Sequence, residues 1–302
     1  MSRLPIPEPL KRLLVPVWNE AHRVGWLARD YATAVGKAQI QLCRVCGAFR
    51  PMLYRRRVIP PKLVERWGLT PRLAAALARK ESSNCAGCGA KLRARRMAEV
   101  LLKRFTDPNL PDRPSSLRDW VEMAAARKLR VAEINTIEGL HDQLMKLRSF
   151  QASDFQPGVE TGTVKEGVRS EDLMKLTYPD ASFDLVLTSE TLEHVPDLDT
   201  ALGEIHRVLV PGGWHIFTIP RLPRVATTFA RARLRDDGSI EDLHPRICHP
   251  GGDVGYPVFT EFGADLPNRM HEAGFTCEVE FSPVTEDDLA QVYVCRKRDR
   301  AS

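Results

Sequence analysis

Between Tyr178 and Pro220 the spacing of apolar positions changes period twice. Phe183 to Glu190, FDLVLTSE, is a nearly continuous apolar run with β-branched content, the pattern of a strand buried on both faces. Leu198, Leu202, Ile205 and Leu209 then recur at spacings of three and four, which predicts an amphipathic helix. Pro211-Gly212-Gly213 is the expected helix stop and turn, and Trp214 to Ile219 reads as a second buried strand. Strand, helix and strand in this order make one βαβ unit of a parallel sheet.

The alternation extends in both directions. Leu117 to Lys128 predicts a helix, LRVAEIN (129–135) a first strand, LHDQLMKL (140–147) the next helix, FQASDF (150–155) a second strand and VRSED (168–172) a third. After an insertion of about 40 residues, GADLPNRMHEAG (263–274) reads as the last helix, and FTCEVEF and QVYVCRK as a terminal pair of strands. TDPNLPDRPSS (106–116) is a linker or loop by its Pro, Asp and Ser content. In residues 1–40, Leu10, Leu13, Leu14, Val17 and Trp18 form an apolar stripe interrupted at Pro16 and continued by His22 and Trp26. Two readings of that stripe stay open: packing on protein, or peripheral contact with a membrane.

Two CxxCG knuckles, Cys43-Arg44-Val45-Cys46-Gly47 and Cys85-Ala86-Gly87-Cys88-Gly89, occupy a segment taken as residues 41–105. Each offers two thiolates from a tight turn whose trailing Gly accepts unusual backbone angles. Together Cys43, Cys46, Cys85 and Cys88 supply the four sulfurs of a closed structural zinc site. The alternative is two unrelated redox or buried pairs. The 38-residue gap between the knuckles is expected to contain a helix at PRLAAALARK, and the module to have a core separate from that of the sheet. Cys277 and Cys295 alternate with apolar residues and read as core.

The phrases PDASFD, LEHVPD and RVLVPGG, in that order, resemble the fourth and fifth strands of class I S-adenosylmethionine-dependent methyltransferases, in the group acting on small molecules, quinones and lipids. The resemblance implies an α/β fold with a seven-stranded, mostly parallel, Rossmann-like sheet over residues 117–302. It also implies S-adenosylmethionine as cofactor. By the family pattern, the loop after the first strand, Glu133-Ile134-Asn135-Thr136-Ile137-Glu138-Gly139, is the Gly-rich cofactor loop. Glu133 and Gly139 match, whereas Asn135 and Ile137 stand where glycines are expected. Asn tolerates positive φ and Ile does not, so weakened cofactor binding is expected. The resemblance further implies that Asp154 meets the ribose, Asp172 and Leu173 the adenine, and Ser189 and Glu190 the methionine part. His194 and His249, with His244 and Tyr256 in the insertion, are the candidates for chemistry at the acceptor.

Composition limits the remaining choices. No apolar run approaches the roughly 20 residues that span a bilayer, the prolines near the N-terminus do not suit a signal peptide, and an odd count of seven cysteines does not suit a secreted disulfide framework. A cytoplasmic protein is expected. The net charge of +5 conceals +13 over residues 41–105 and −11 over 106–302. Either the two segments attract each other, or the basic one meets an anionic partner. The leading functional expectation is methylation of a small or conjugated acceptor: a sugar, lipid or polysaccharide intermediate. An RNA methyltransferase that reads RNA through the basic module, or a non-catalytic scaffold with an altered loop, are the alternatives. The residues Ser189-Glu190-Thr191-Leu192 lack the Pro-Pro-aromatic signature of nucleic-acid amino methylation.

Overall fold

The computed structural model describes residues 32–298 except 56–57, 60, 108, 111, 127, 250–254, 282–284 and 286. The apolar stripe from Leu10 to Trp26 lies outside the described residues.

The chain begins with a small antiparallel sheet in the order β1 (Gln39–Leu42), β2 (Phe49–Leu53), β3 (Asn84–Cys85). Helices Pro61–Arg66 and Pro71–Ser82 fall between β2 and β3, so the expected helix within the cysteine gap is present. Thr70 caps the second one through its hydroxyl, 3.2 Å from the Leu73 amide, with Pro71 in the first turn. Helices Leu92–Arg104 and Leu117–Ala126 lead into the main sheet.

That sheet uses β4 (Val131–Ile134), β5 (Phe150–Asp154), β6 (Val164–Lys165), β7 (Val168–Ser170), β8 (Phe183–Ser189) and β9 (Leu209–Thr218). Six short strands of the insertion follow: β10 (Phe229–Ala230), β11 (Ala232–Leu234), β12 (Ile240–Asp242), β13 (Cys248–His249), β14 (Tyr256–Pro257) and β15 (Thr260–Glu261). β16 (Phe275–Glu280) and β17 (Val292–Lys297) complete the main sheet in the order β16-β17-β9-β8-β4-β5-β7-β6. The five central strands are parallel; β16, β17 and the outer β6 run antiparallel to their neighbours. The strand order reverses at β4, where β5 lies on one side and β8 on the other. The expected Rossmann-like sheet of seven strands is thus present, with the two-residue β6 as an eighth at its edge.

One detail of the central βαβ unit differs from expectation. Helix Leu198–Val208 runs directly into β9, and Pro211-Gly212-Gly213 lies inside that strand. Phe183 faces Leu209 but Leu185 faces Trp214, so the Pro-Gly-Gly segment bulges out of the ladder, with Gly212 at φ 69°. A bulge holds extra residues without ending the strand, whereas the turn signal alone marks only a break in regular geometry.

Alternate strand residues fill two cores. On one face Ala132, Ile134, Val186 and Phe217 meet the Leu198–Val208 and Leu266–Glu272 helices. On the other, Val131, Leu185, Leu187, Ile216, Val292 and Val294 join Leu117 and Trp120. That second core also contains Cys43, Cys85, Ala94, Met97, Ala98 and Leu101 of the cysteine module. The expectation of separate cores is therefore not met. The helix following β4 is only His141–Leu144, too short to cover its face of the sheet, and Leu92–Arg104 supplies the missing apolar cover.

This shared core makes the cysteine centre a stability element of the whole chain. Cys85→Ser should lower the melting temperature by more than the roughly 2–4 °C that 1 kcal/mol produces in a domain of this size. Trp fluorescence and far-UV circular dichroism should follow one coincident transition; two separated transitions would contradict the shared core.

Candidate functional site

The two knuckles fold alike. The Gly47 amide donates to the Cys43 carbonyl at 2.8 Å and the Gly89 amide to the Cys85 carbonyl at 2.9 Å, with both glycines at positive φ, 73° and 72°. The four Sγ atoms converge within 4.8 Å of one another, and Cys43 and Cys88 lie 3.7 Å apart. A tetrahedron with metal–sulfur bonds of about 2.3 Å has edges of about 3.8 Å, so this donor set fits a zinc ion. The thiols share their protons unequally: hydrogen bonding with Cys88 brings the Cys43 thiol down to about 5 against the opposing effect of burial, and the same contact raises Cys88. The first knuckle also caps helix Leu117–Ala126, its Arg44 and Val45 carbonyls accepting from the Leu117 and Arg118 amides at 2.6 and 3.2 Å.

The second knuckle touches the loop after β4. A Cβ on Gly139, itself at φ 80°, would stand 2.6 Å from the Ala90 Cβ and 2.7 Å from its Cα. Lys91 pairs with Glu138 at 2.7 Å. A narrow cleft between the two segments is lined by Lys91, Arg93, Ala94, Thr136, Ile137, Glu138 and Ser189. It opens at the carboxyl ends of β4 and β8, where ligands of open parallel sheets bind.

The loop itself is braced from inside. Glu133 is fully buried, with its carboxylate bonded to His141 Nδ1 and accepting the Ile137 amide at 3.3 Å. Burial pushes its pKa up to about 7 against the favourable effect of His141. Asn135 takes φ 63° and accepts the Phe155 amide through Oδ1 at 3.0 Å. Ile137 is not among the positive-φ residues; it is 3% exposed and belongs to the core shared with the module. The expectation that Ile137 strains the loop is thus overturned: this loop places an inward-facing side chain where the family pattern places a glycine. Ile137→Gly should cost about 2–5 kcal/mol in denaturant unfolding, the range for truncating a buried aliphatic side chain. Tighter cofactor binding without loss of stability would contradict this placement.

The acids implied for the cofactor lie at strand ends. Asp154, closing β5, accepts from the Thr136 amide at 2.7 Å and the Thr136 hydroxyl at 3.0 Å. Asp172, two residues beyond β7, accepts the Met174 amide at 2.8 Å. Leu173 is 5% exposed in the core beneath helix Leu198–Val208. Ser189 Oγ lies 2.8 Å from Thr218 Oγ1 across the ends of β8 and β9.

Glu190 has a partner that the sequence reading missed. Lys80, 1% exposed, reaches from the module and places Nζ 2.6 Å from Glu190 Oε2 and 3.2 Å from the Ile219 carbonyl. Its signal was present: Leu73, Ala76, Leu77 and Lys80 occupy one helical face, so the lysine sits where the buried stripe continues. Burial pushes the Glu190 pKa up, but Lys80 and then Arg93 outweigh it, and the group stays below the ordinary carboxylate value. Lys80→Met should destabilise the chain by about 3 kcal/mol, because it leaves a largely desolvated carboxylate without its ammonium partner. The double variant Lys80→Met, Glu190→Gln should recover most of that loss in the same denaturant titration, and a neutral single variant would contradict the buried pair.

Of the histidines, His194 and His249 meet and His244 does not join them. His249 Nδ1 lies 3.2 Å from His194 Nε2, and the Tyr256 ring centroid is 5.9 Å from that of His194. His244 packs on Phe229, with centroids 4.9 Å apart. Burial lowers the pKa of His194, and burial followed by His194 lowers that of His249 to about 4.

Residues 122–217 match the methyltransferase domain family. The chain is 34% identical over 113 residues to the demethylmenaquinone methyltransferase of Deinococcus radiodurans, covering 32% of this chain and 47% of that protein. It is 32% identical over 111 residues to the ubiquinone biosynthesis O-methyltransferase of Thiobacillus denitrificans, covering 37% and 44% respectively. A 42-residue stretch is 50% identical to the sterol 24-C-methyltransferase erg-4 of Neurospora crassa, covering 14% of this chain and 11% of that one. The chain thus spans less than half the length of these curated relatives. A solved S-adenosylmethionine-dependent methyltransferase from Mesorhizobium loti aligns with 60% of this chain and 100% of its own, at 19% identity and a TM-score of 0.38.

Proposed function

We propose, for a chain that carries a methyltransferase domain over residues 122–217, that it transfers a methyl group from S-adenosylmethionine to a small or conjugated acceptor. The observation that carries this reading is the set of polar groups at the carboxyl ends of the parallel strands: Asp154, Asp172, Ser189 and the Asn135–Gly139 loop, left-handed at its two ends, beside the point where strand order reverses. Asp154 would accept from the ribose hydroxyls through the lone pairs that Thr136 leaves free, and Asp172 from the adenine amino group. Glu133 acts by positioning, since its carboxylate holds the loop through Ile137 and His141. The cofactor, when bound, supplies a sulfonium methyl for in-line transfer. His194 and His249 are the polar groups offered to the acceptor, under a loop insertion of the kind that confers specificity.

Relatives named for demethylmenaquinone, ubiquinone and sterol favour a lipid-like member of the acceptor class. The RNA reading loses support because several of the module's cations are paired within the chain with Asp287, Asp288, Glu278 and Glu280. The scaffold reading loses its motive, because Ile137 has an unstrained place. We expect Asp154→Ala to weaken S-adenosylmethionine binding by about 1.5–3 kcal/mol, the range for a hydrogen bond to a charged group, or roughly 10- to 150-fold in dissociation constant. Isothermal calorimetry on the zinc-loaded protein reads this directly, and unchanged affinity would remove Asp154 from the cofactor site.

A further inference from the structure

Directly after β8 the chain makes a 3-10 turn, Leu192–His194, that buries Glu193 completely. Neither carboxylate oxygen of Glu193 has a hydrogen-bond partner among the described residues. An isolated buried carboxylate costs several kcal/mol and normally has a compensating group. The nearby cations are already committed, Lys80 to Glu190 and Arg93 to Glu81. What faces Glu193 instead is a pair of imidazoles: His194 Nε2 and His249 Nδ1 each lie 3.6 Å from Oε1, and 3.2 Å from one another.

These three distances are those of a ligand set. Metal–nitrogen and metal–oxygen bonds of about 2.0–2.1 Å at tetrahedral angles put ligand atoms about 3.4 Å apart. The surrounding contacts also suit one. His194 Nδ1 donates to the Pro257 carbonyl at 2.8 Å, which fixes the tautomer and leaves Nε2 with its lone pair toward the cluster. The Phe259 amide donates to the Glu193 carbonyl at 2.7 Å, and His249 is paired with Tyr256 across β13 and β14. The insertion therefore supplies one ligand and orients another. Both histidines remain partly exposed, which gives an ion a way in.

We propose that Glu193, His194 and His249 bind one divalent transition-metal ion, distinct from the four-cysteine centre, and that this ion receives the oxygen of a hydroxyl-bearing acceptor. Three protein ligands leave positions open, as in catalytic rather than structural sites. The acceptor part rests on the methyltransferase reading. The hydroxyl would lose its proton to solvent as its oxygen binds; the O–CH3 bond would then form as the sulfonium S–CH3 bond breaks, and S-adenosylhomocysteine would leave.

The test is metal content of the full chain after equilibration with zinc and removal of the excess. Wild-type protein should hold one more zinc per chain than His249→Ala and than Glu193→Gln. Zinc retained by either variant at the four cysteines reports that it has folded, and His249 on its short hairpin provides a variant independent of the buried Glu193. Equal zinc content in wild type and His249→Ala overturns the site. S-adenosylmethionine calorimetry on the same samples separates the two readings. Cofactor binding without the additional ion overturns this proposal alone. The additional ion without cofactor binding upholds the site and overturns the methyltransferase reading, with the acceptor role that depends on it.

Discussion

One apolar face of the main sheet is covered by a helix that begins four residues after the last cysteine of the module. Leu92–Arg104 buries Ala94, Met97, Ala98 and Leu101 against strands β4, β8, β9 and β17. A sheet of this kind needs both faces covered, and the helix after β4 is a single turn. The knuckles hold Leu92–Arg104 and Leu117–Ala126 in place from the other side, one of them by lending its carbonyls to a helix start. Pulling the module away would therefore expose Val131, Leu185 and Ile216 and break the wall of the cleft at the ends of β4 and β8 in one act. The cysteine centre and the loop after β4 are parts of one structure, joined where Gly139 meets Ala90 with no room for a side chain.

Part of the charge asymmetry is met within the chain. Arg96 forms a two-pronged pair with Asp288, Lys103 and Arg104 meet Glu278 and Glu280, and Arg72 meets Asp287. Solvent-exposed pairs contribute about 0–1 kcal/mol each, so these contacts orient the module more than they stabilise it. Lys80 and Glu190 differ in kind, because the ammonium has left water entirely. Their pair would lose far more on removal of one partner than on replacement of both.

Much of this was legible along the chain. The period of 198–209, the apolar run of 183–190 and the paired knuckles each depend on local chemistry, and each folds as its pattern implies. Local patterns say that a strand has an apolar face; they do not say what covers it, which is why the shared core escaped the sequence. Ile137 shows the same limit. Its position in a loop pattern suggested strain, while its burial depends on Leu92–Arg104, more than 30 residues earlier. Lys80 had a visible signal, a charge on the apolar stripe, but its partner lies 110 residues away.

The end of β8 divides the site by giving two nearby carboxylates opposite surroundings. Glu190 is largely desolvated, its side chain 14% exposed, yet Lys80 and Arg93 hold its pKa below the ordinary value. Glu193, three residues later, is raised well above it by burial and then by the charge of Glu190. A compensated carboxylate is fixed in its ionised state and suits a structural joint between module and sheet. An uncompensated one retains its demand for a proton or a cation. The two histidines beside Glu193 carry lowered pKa values, so near neutral pH they offer lone pairs rather than positive charge. The same strand end thus anchors the module with one acid through Lys80 and leaves the other facing two imidazoles.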